Sequence, residues 1–240
     1  MTARPPSAVR GEDGVRRCWW GAGDPLYRQY HDQEWGRPNL DDRHLFEHIC
    51  LEGFQAGLSW ITILRKRVNF RKAFADFDIE AVARFNTRSV ERMLRNAGII
   101  RHRGKIQSAI NNARRALELI DDHGSIAAYL WQFEPTHGPR RRVTRRTLPV
   151  TSPESIALSK GLKGLGWSFV GPTGMYALMQ AIGLINDHVT TCDTRLIIEK
   201  QRRSLKRPVS DKPLAGGYYD LTTIPQNRTF HKGKDRGRFG

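Results

Sequence analysis

The sequence predicts an all-α fold, on three observations. Between positions 40 and 200 apolar residues recur at spacings of three and four, no stretch sustains the period-two alternation of a half-buried strand, and helix-start chemistry recurs along the same span. Asp41 and Asp42 offer a capping side chain for a helix that carries Leu45, Phe46 and Ile49 inward, with Gly53 and Gly57 loosening or ending it. Ser59 then caps a helix through Trp60, Ile63 and Leu64. Thr87 or Ser89 opens a short helix that closes near Gly98. The stretch Ile99-Ile100-Arg101-His102-Arg103-Gly104-Lys105 leads into a longer helix with Ile106, Ala109, Ile110, Ala113, Leu117 and Ile120 on one face. Residues 133–151, rich in Pro, Thr and Arg, read as a connecting loop. Ser152-Pro153-Glu154 then combines a capping hydroxyl, a proline at the first helical position and an acid in the first turn.

Forty Lys and Arg against 24 Asp and Glu leave a formal charge of +16 on 240 residues, a field that attracts polyanions and makes nucleic acid the expected partner. Part of the excess lies in the aperiodic stretch 201–240, where it can be a solvated appendage. No run approaches the roughly 18 continuous apolar residues of a membrane span, and the first 17 residues lack the apolar stretch of a signal peptide. A cytoplasmic protein without membrane attachment is the expectation. Three cysteines, Cys18, Cys50 and Cys192, are too few for a disulfide framework and suit a reducing compartment or metal ligation.

Three local patterns bear on chemistry. Arg101, His102, Arg103 and Lys105 set positive charge against the dipole at the start of the long helix, either as a solvated basic turn or as the rim of an anion site. The helix from Pro153 to about Lys163 meets Leu165-Gly166-Trp167-Ser168-Phe169-Val170-Gly171, and Pro172 opens another helix with Tyr176, Ala177, Met179 and Ile182 to bury. This is either a structural αα-hairpin or a phosphate site, in which Gly171 permits a sharp turn and unpaired amides around Gly166, Ser168, Gly171 and Thr173 face DNA without reading a base. Third, His188 and Cys192 are four apart, so on a helix they would face the same way and could share a metal ion. That pair alone is equally compatible with an ordinary His and Cys. With Cys18 and His31 upstream it makes a Cys2His2 set suited to tetrahedral zinc, with no position open for an activated water. Continuing the helical period from Leu45 and Ile49 places Glu52 within about 20° of the apolar stripe, as a salt-bridged core acid or as a group that recognises a ligand.

The order of hairpin, Gly183 and Leu184-Ile185-Asn186-Asp187-His188-Val189 resembles the helix-hairpin-helix superfamily of DNA glycosylases. Cys18-Trp19-Trp20, Asp24-Pro25-Leu26-Tyr27, Tyr30-His31-Asp32-Gln33-Glu34-Trp35-Gly36, Leu51-Glu52-Gly53-Phe54-Gln55-Ala56-Gly57-Leu58-Ser59-Trp60 and Ala97-Gly98-Ile99-Ile100-Arg101-His102-Arg103-Gly104-Lys105-Ile106 resemble the DNA-3-methyladenine glycosylase I family, from about Cys18 to Cys192. The resemblance implies base flipping in alkylated double-stranded DNA and one structural zinc per chain on Cys18, His31, His188 and Cys192. It also implies that Glu52 accepts hydrogen bonds from the flipped base, that Tyr30 and Trp60 stack on it, and that Trp20 and Trp35 stand at the wall. Arg101, Arg103 and Lys105 join the hairpin as DNA contacts.

Superfamily members that also cut the strand carry a lysine shortly after the hairpin's last glycine. Pro172-Thr173-Gly174 holds none, so excision without strand cleavage is expected. The superfamily's water-assisting aspartate is replaced by Asn186, and no general base is assigned. Gly174 inside a helix and the long basic tail depart from the family pattern. The expected organisation is a disordered leader at 1–16, a glycosylase domain at 17–195 with its helix-hairpin-helix at about 153–183, and a basic flexible tail at 196–240, acting as a monomer. A non-catalytic zinc-stabilised DNA-binding module, or a glycosylase for another lesion, shares the same frame.

Overall fold

A computed structural model describes residues 6–136 and 142–212. Its helices are α1 (Pro25–Gln33), α2 (Asp42–Gln55), α3 (Trp60–Ala73), α4 (Ile79–Ala83), α5 (Thr87–Leu94), α6 (Arg103–His123), α7 (Ile126–Trp131), α8 (Pro153–Gly164), α9 (Pro172–Ala181) and α10 (Thr194–Ser204). The expected all-α class holds, with one addition: strands β1 (Ala8–Arg10) and β2 (Arg16–Cys18) pair antiparallel.

Helix α2 forms the centre. Asp41 caps it by accepting the His44 amide at 2.7 Å, and every residue from Leu45 to Phe54 is buried against α3, α6, α7 and α9. The apolar stripe is therefore only part of its buried surface, and Glu47, His48 and Glu52 are buried with it. Gly53 does not end the helix, which runs on to Gln55. Helix α5 starts at Thr87, but its cap is Asn86, whose side chain accepts the Ser89 amide at 3.2 Å. Helix α8 is capped by Ser152 as its sequence announces, and Ser155 adds the reciprocal bond of a capping box.

Two boundaries change. The leader expected to be disordered through residue 16 forms the β1–β2 hairpin, because Arg17 is buried and gripped by Asp13 and Asp32 at 2.6 and 2.7 Å. Residues 1–5 lie outside the described residues. The tail expected to begin at 196 instead continues as α10, which buries Ile198. Arg195 of α10 donates to the carbonyls of Asn186 and His188, and Arg202 to that of Gly183, so these charges hold the loop after α9. Gly183 turns that loop at φ +81°, and a Cβ there would lie 2.6 Å from the Pro38 nitrogen. The rest of the expected tail, from 213, lies outside the described residues.

Candidate active site and metal centre

Asp24 starts α1 by accepting the amides of Leu26 and Tyr27 at 2.8 and 3.3 Å, with Pro25 at the first helical position. The resulting register sends Tyr27 and Tyr30 into a cavity of about 280 Å3. Its walls also include Trp20, Trp35, Glu52 from α2 and Trp60 from the start of α3. Ring centroids lie 4.9 Å apart for Trp20 and Trp35, 6.3 Å for Trp20 and Tyr30, and 5.6 Å for Tyr30 and Trp60. The structure therefore brings together all five residues expected at the pocket. Trp19, Leu148 and Gln180 also line it, and no motif had singled out the last two.

Glu52 is 7% exposed and makes no hydrogen bond or ion pair among the described residues. Burial pushes its carboxyl up to about 8. The salt-bridged alternative for this acid therefore has no partner to support it. Burial likewise raises the Tyr30 phenol, which stays protonated at neutral pH.

Behind the wall, His48 stacks against Trp60 and hydrogen-bonds Glu34 at 2.7 Å. Arg67 joins Glu34 at 2.7 Å and Glu47 at 2.8 Å, and Arg71 reaches Glu47 at 2.8 Å. Burial acts to raise Glu34, but the bonds from His48 and Arg67 outweigh it and hold its carboxyl below the usual range. This network fixes the back of the aromatic wall. The signal that could have found it is the pair Glu47-His48 set between the apolar residues Leu45-Phe46 and Ile49-Cys50-Leu51.

On the far side of Trp20 and Trp35 sits a group of soft and imidazole donors. Cys18, His31 and Cys192 are buried, with ligand atoms within 4.8 Å of one another. His31 Nε2 lies 3.5 Å from Cys192 Sγ, and its Nδ1 lies 2.8 Å from the Asp32 carboxylate. The hydrogen bond between Cys18 and Cys192 lowers the Cys192 thiol and, with burial, raises that of Cys18, which keeps the proton on Cys18. His188 stands beside them, its ring 4.9 Å from that of His31 and 4.6 Å from Trp35. Its Nδ1 is 3.0 Å from Asn186 Oδ1, and its Nε2 is buried without a partner. Burial pushes this imidazole well below its ordinary value, so it is neutral.

The reason for pairing His188 with Cys192 changes. The segment between α9 and α10 is irregular, with a turn in which the Cys192 amide reaches the Val189 carbonyl at 2.8 Å. Both residues instead adjoin His31, whose Nε2 lies 3.5 Å from Cys192 Sγ and whose ring centroid lies 4.9 Å from that of His188.

Between α8 and α9 the chain makes the expected turn, but Gly166 at φ +79° and Phe169 at φ +55° shape it, while Gly171 is ordinary at φ −66°. The Gly166 amide is used by the Lys163 carbonyl at 3.0 Å. Ser168 is also engaged: its amide donates to Asn112 Oδ1 at 2.9 Å and its hydroxyl to Ser108 Oγ at 2.8 Å. Both residues brace the turn on α6 and are unavailable to a phosphate. Gly171 caps α9 without a side chain and Pro172 has no N–H, which leaves the amides of Thr173 and Gly174 at the open helix end.

A groove of about 490 Å3 runs along this end, lined by Leu58, Phe169, Pro172, Thr173 and, at its inner limit, Glu52. Glu52 thus borders both the aromatic cavity and the hairpin groove.

Of the cations expected at DNA, Lys105 is withdrawn. Its Nζ donates to the carbonyls of Phe54 and Ala56 at 2.9 and 2.5 Å, capping the end of α2. Arg103 pairs with Glu91 at 2.7 Å, and Arg101 is exposed without a salt bridge among the described residues. The start of α6 needs no anion, since His102 Nδ1 accepts the Lys105 amide at 3.2 Å.

Comparison with known proteins fits this geometry. The family model "Methyladenine glycosylase" matches residues 19–196. The chain is 49% identical to Escherichia coli DNA-3-methyladenine glycosylase 1 over 180 residues, covering 74% of this chain and 96% of that protein. This chain belongs to the methyladenine glycosylase family.

Solved structures agree. A crystal structure of 3-methyladenine DNA glycosylase I superposes with a TM-score of 0.70 at 50% identity, covering 74% of this chain and 98% of that one. A single-residue variant of a 3-methyladenine DNA glycosylase I, solved with 3-methyladenine, superposes with a TM-score of 0.71 at 32% identity, covering 75% and 97%. The methyladenine glycosylase match stops at residue 196, so the rest of α10, whose Arg202 braces the loop after α9, lies beyond it.

Proposed function

We propose that this chain removes 3-methyladenine from alkylated double-stranded DNA by hydrolysing the N-glycosidic bond, leaving the strand intact. The observation that carries the reading is Glu52, a buried acid without a partner among the described residues, set in an aromatic cavity and bordering the groove at the start of α9. Amides at the start of α9 and exposed cations such as Arg101 hold the phosphates, and the damaged nucleotide swings past Phe169 and Leu58 into the cavity. A 3-methylated adenine nucleotide carries delocalised positive charge, which the faces of Tyr30 and Trp60 favour over a neutral base. The same cation favours the ionised form of Glu52, which releases its proton to solvent and whose carboxylate then accepts the hydrogen bonds of the base. Water adds to C1′, the C1′–N9 bond breaks with its electrons going to the base, and the water's surplus proton passes to solvent. The base is already a good leaving group, so positioning and exclusion of water supply most of what is needed.

Cys18, His31, His188 and Cys192 would hold one zinc ion, which when bound ties the N-terminal hairpin to the loop before α10. The partnerless Nε2 of His188, the close approach of Cys18, His31 and Cys192, and the Asp32 and Asn186 contacts to the two imidazoles support this set. No helix of the described residues is long and apolar enough to cross a membrane, and a cytoplasmic monomer suffices for the reaction.

The test is incubation with methylated duplex DNA. Free 3-methyladenine should appear while the strand stays whole until alkali is added. Tight binding of that DNA with no base release would point instead to a non-catalytic module.

A further inference from the structure

Gln180 stands in the wall of the cavity beside Glu52, and its orientation is fixed from behind. It lines the cavity with Glu52 and Ala177, one turn earlier on α9. Its Nε2 donates to Asp187 Oδ2 at 2.9 Å, and the same carboxylate oxygen accepts the Tyr176 hydroxyl at 2.5 Å. Tyr176 and Asp187 are both buried. Two donors converge on one carboxylate oxygen, so this carboxylate acts as an acceptor toward both. The Gln180 amide therefore has its nitrogen committed, and its Oε1 carries no hydrogen bond among the described residues. The chain Tyr176 and Gln180 to Asp187 also explains why an aspartate stands at 187 when the catalytic position of the wider superfamily is filled by Asn186, which here holds His188.

We propose that Gln180 Oε1, held as an acceptor by Asp187, selects bases with an amino group at purine position 6 over bases with an oxo group there. This rests on the reading of the cavity as the 3-methyladenine site. An exocyclic amine offers two N–H donors, which Glu52 and Gln180 can take from two directions. An oxo group would set an acceptor against Gln180 Oε1, whose nitrogen is already committed, and unpaired acceptors in a buried site are rejected strongly. The amide's donation to a carboxylate also increases electron density on Oε1, which suits a cationic base.

The experiment measures tryptophan fluorescence quenching by free 3-methyladenine and by 3-methylhypoxanthine, which carries oxo in place of the amine. Wild-type protein should prefer 3-methyladenine. Gln180→Met should lose about tenfold in affinity for 3-methyladenine and little for the oxo base. Asp187→Asn should act in the opposite sense on the pair. Its amide can donate to Gln180, the Gln180 amide then turns over, and the preference narrows by about tenfold or inverts, which a merely structural role for Asp187 would not do. An unchanged ratio in Gln180→Met, or in a folded Asp187→Asn, overturns the proposal. If Asp187→Asn does not fold, the Gln180→Met ratio decides alone. Wild-type protein that binds neither base would overturn the reading of the cavity itself.

Discussion

Asp193 grips Arg16 on three sides: its carboxylate takes the Arg16 amide at 2.8 Å and the guanidinium at 3.0 and 2.7 Å, while the Asp193 amide donates to the Arg16 carbonyl at 2.9 Å. These bonds are exposed and individually weak. Their effect is positional, since they lie one residue from Cys192 and two from Cys18. Elemental analysis should find about one zinc per chain in protein purified without chelator. Cys192→Ser should lose the zinc and melt at lower temperature, in a scan compared with and without added metal. Zinc-free wild-type protein with an unchanged melting temperature would end the metal assignment.

Glu52 makes stability and function oppose each other. The folded chain keeps the Glu52 proton up to about pH 8, whereas the unfolded chain releases it near the ordinary carboxyl value of 4.5. The folded state thus binds more protons across that window, so its stability falls as pH rises from about 4.5 to about 8 and is fully present only below it. Glu52→Gln should remove this slope and stabilise the protein at pH 8, on the order of 3–5 kcal/mol, while base release is lost. Denaturant melts at pH 5 and pH 8, with a release assay beside them, measure both. A Gln variant with full activity would remove Glu52 from recognition.

Two cations close in sequence should behave differently. Lys105→Met leaves the carbonyls of Phe54 and Ala56 without their donor and should destabilise the fold by about 1–3 kcal/mol, with the salt dependence of DNA binding unchanged. Arg101→Ala should leave stability alone and lower the slope of log affinity against log salt by about 1. Binding titrations at several salt concentrations separate the two.

Gly174 offers a third contrast. A Cβ there meets nothing within 4 Å in the free protein, so Gly174→Ala should raise stability by about 1 kcal/mol. If the phosphate backbone closes on the start of α9, the same methyl group should weaken binding to duplex DNA several-fold. Equal DNA affinity in the two proteins would move the phosphate site elsewhere.

Much of this molecule was legible from local chemistry. The Ser152-Pro153 start, the Asp41 cap and the long face of α6 are set by neighbours within one turn, so periodicity and capping rules reached them. Glu52 was legible as an anomaly, since a carboxylate on an apolar face needs an explanation. Lys105 misled for the opposite reason: its charge is written in the sequence, but its target, the end of a helix some fifty residues earlier, is not. The β1–β2 hairpin was hidden because its stability comes from Arg17 meeting Asp13 and Asp32, and α10 because it reads as basic until Arg195 and Arg202 find their carbonyls.

By itself, then, the sequence determined the helices α2, α3, α5, α6, α8 and α9, the family resemblance and the residues that line the aromatic cavity. Those are properties of residue type and near spacing. Only the tertiary structure decided that His188 and Cys192, on an irregular loop, each adjoin His31, that Ser168 braces the hairpin on α6, and that Asp187 turns Gln180 to face the cavity. Each of these depends on hydrogen bonds between groups far apart in the chain or on the direction a side chain takes once buried, and neither is encoded in a local period.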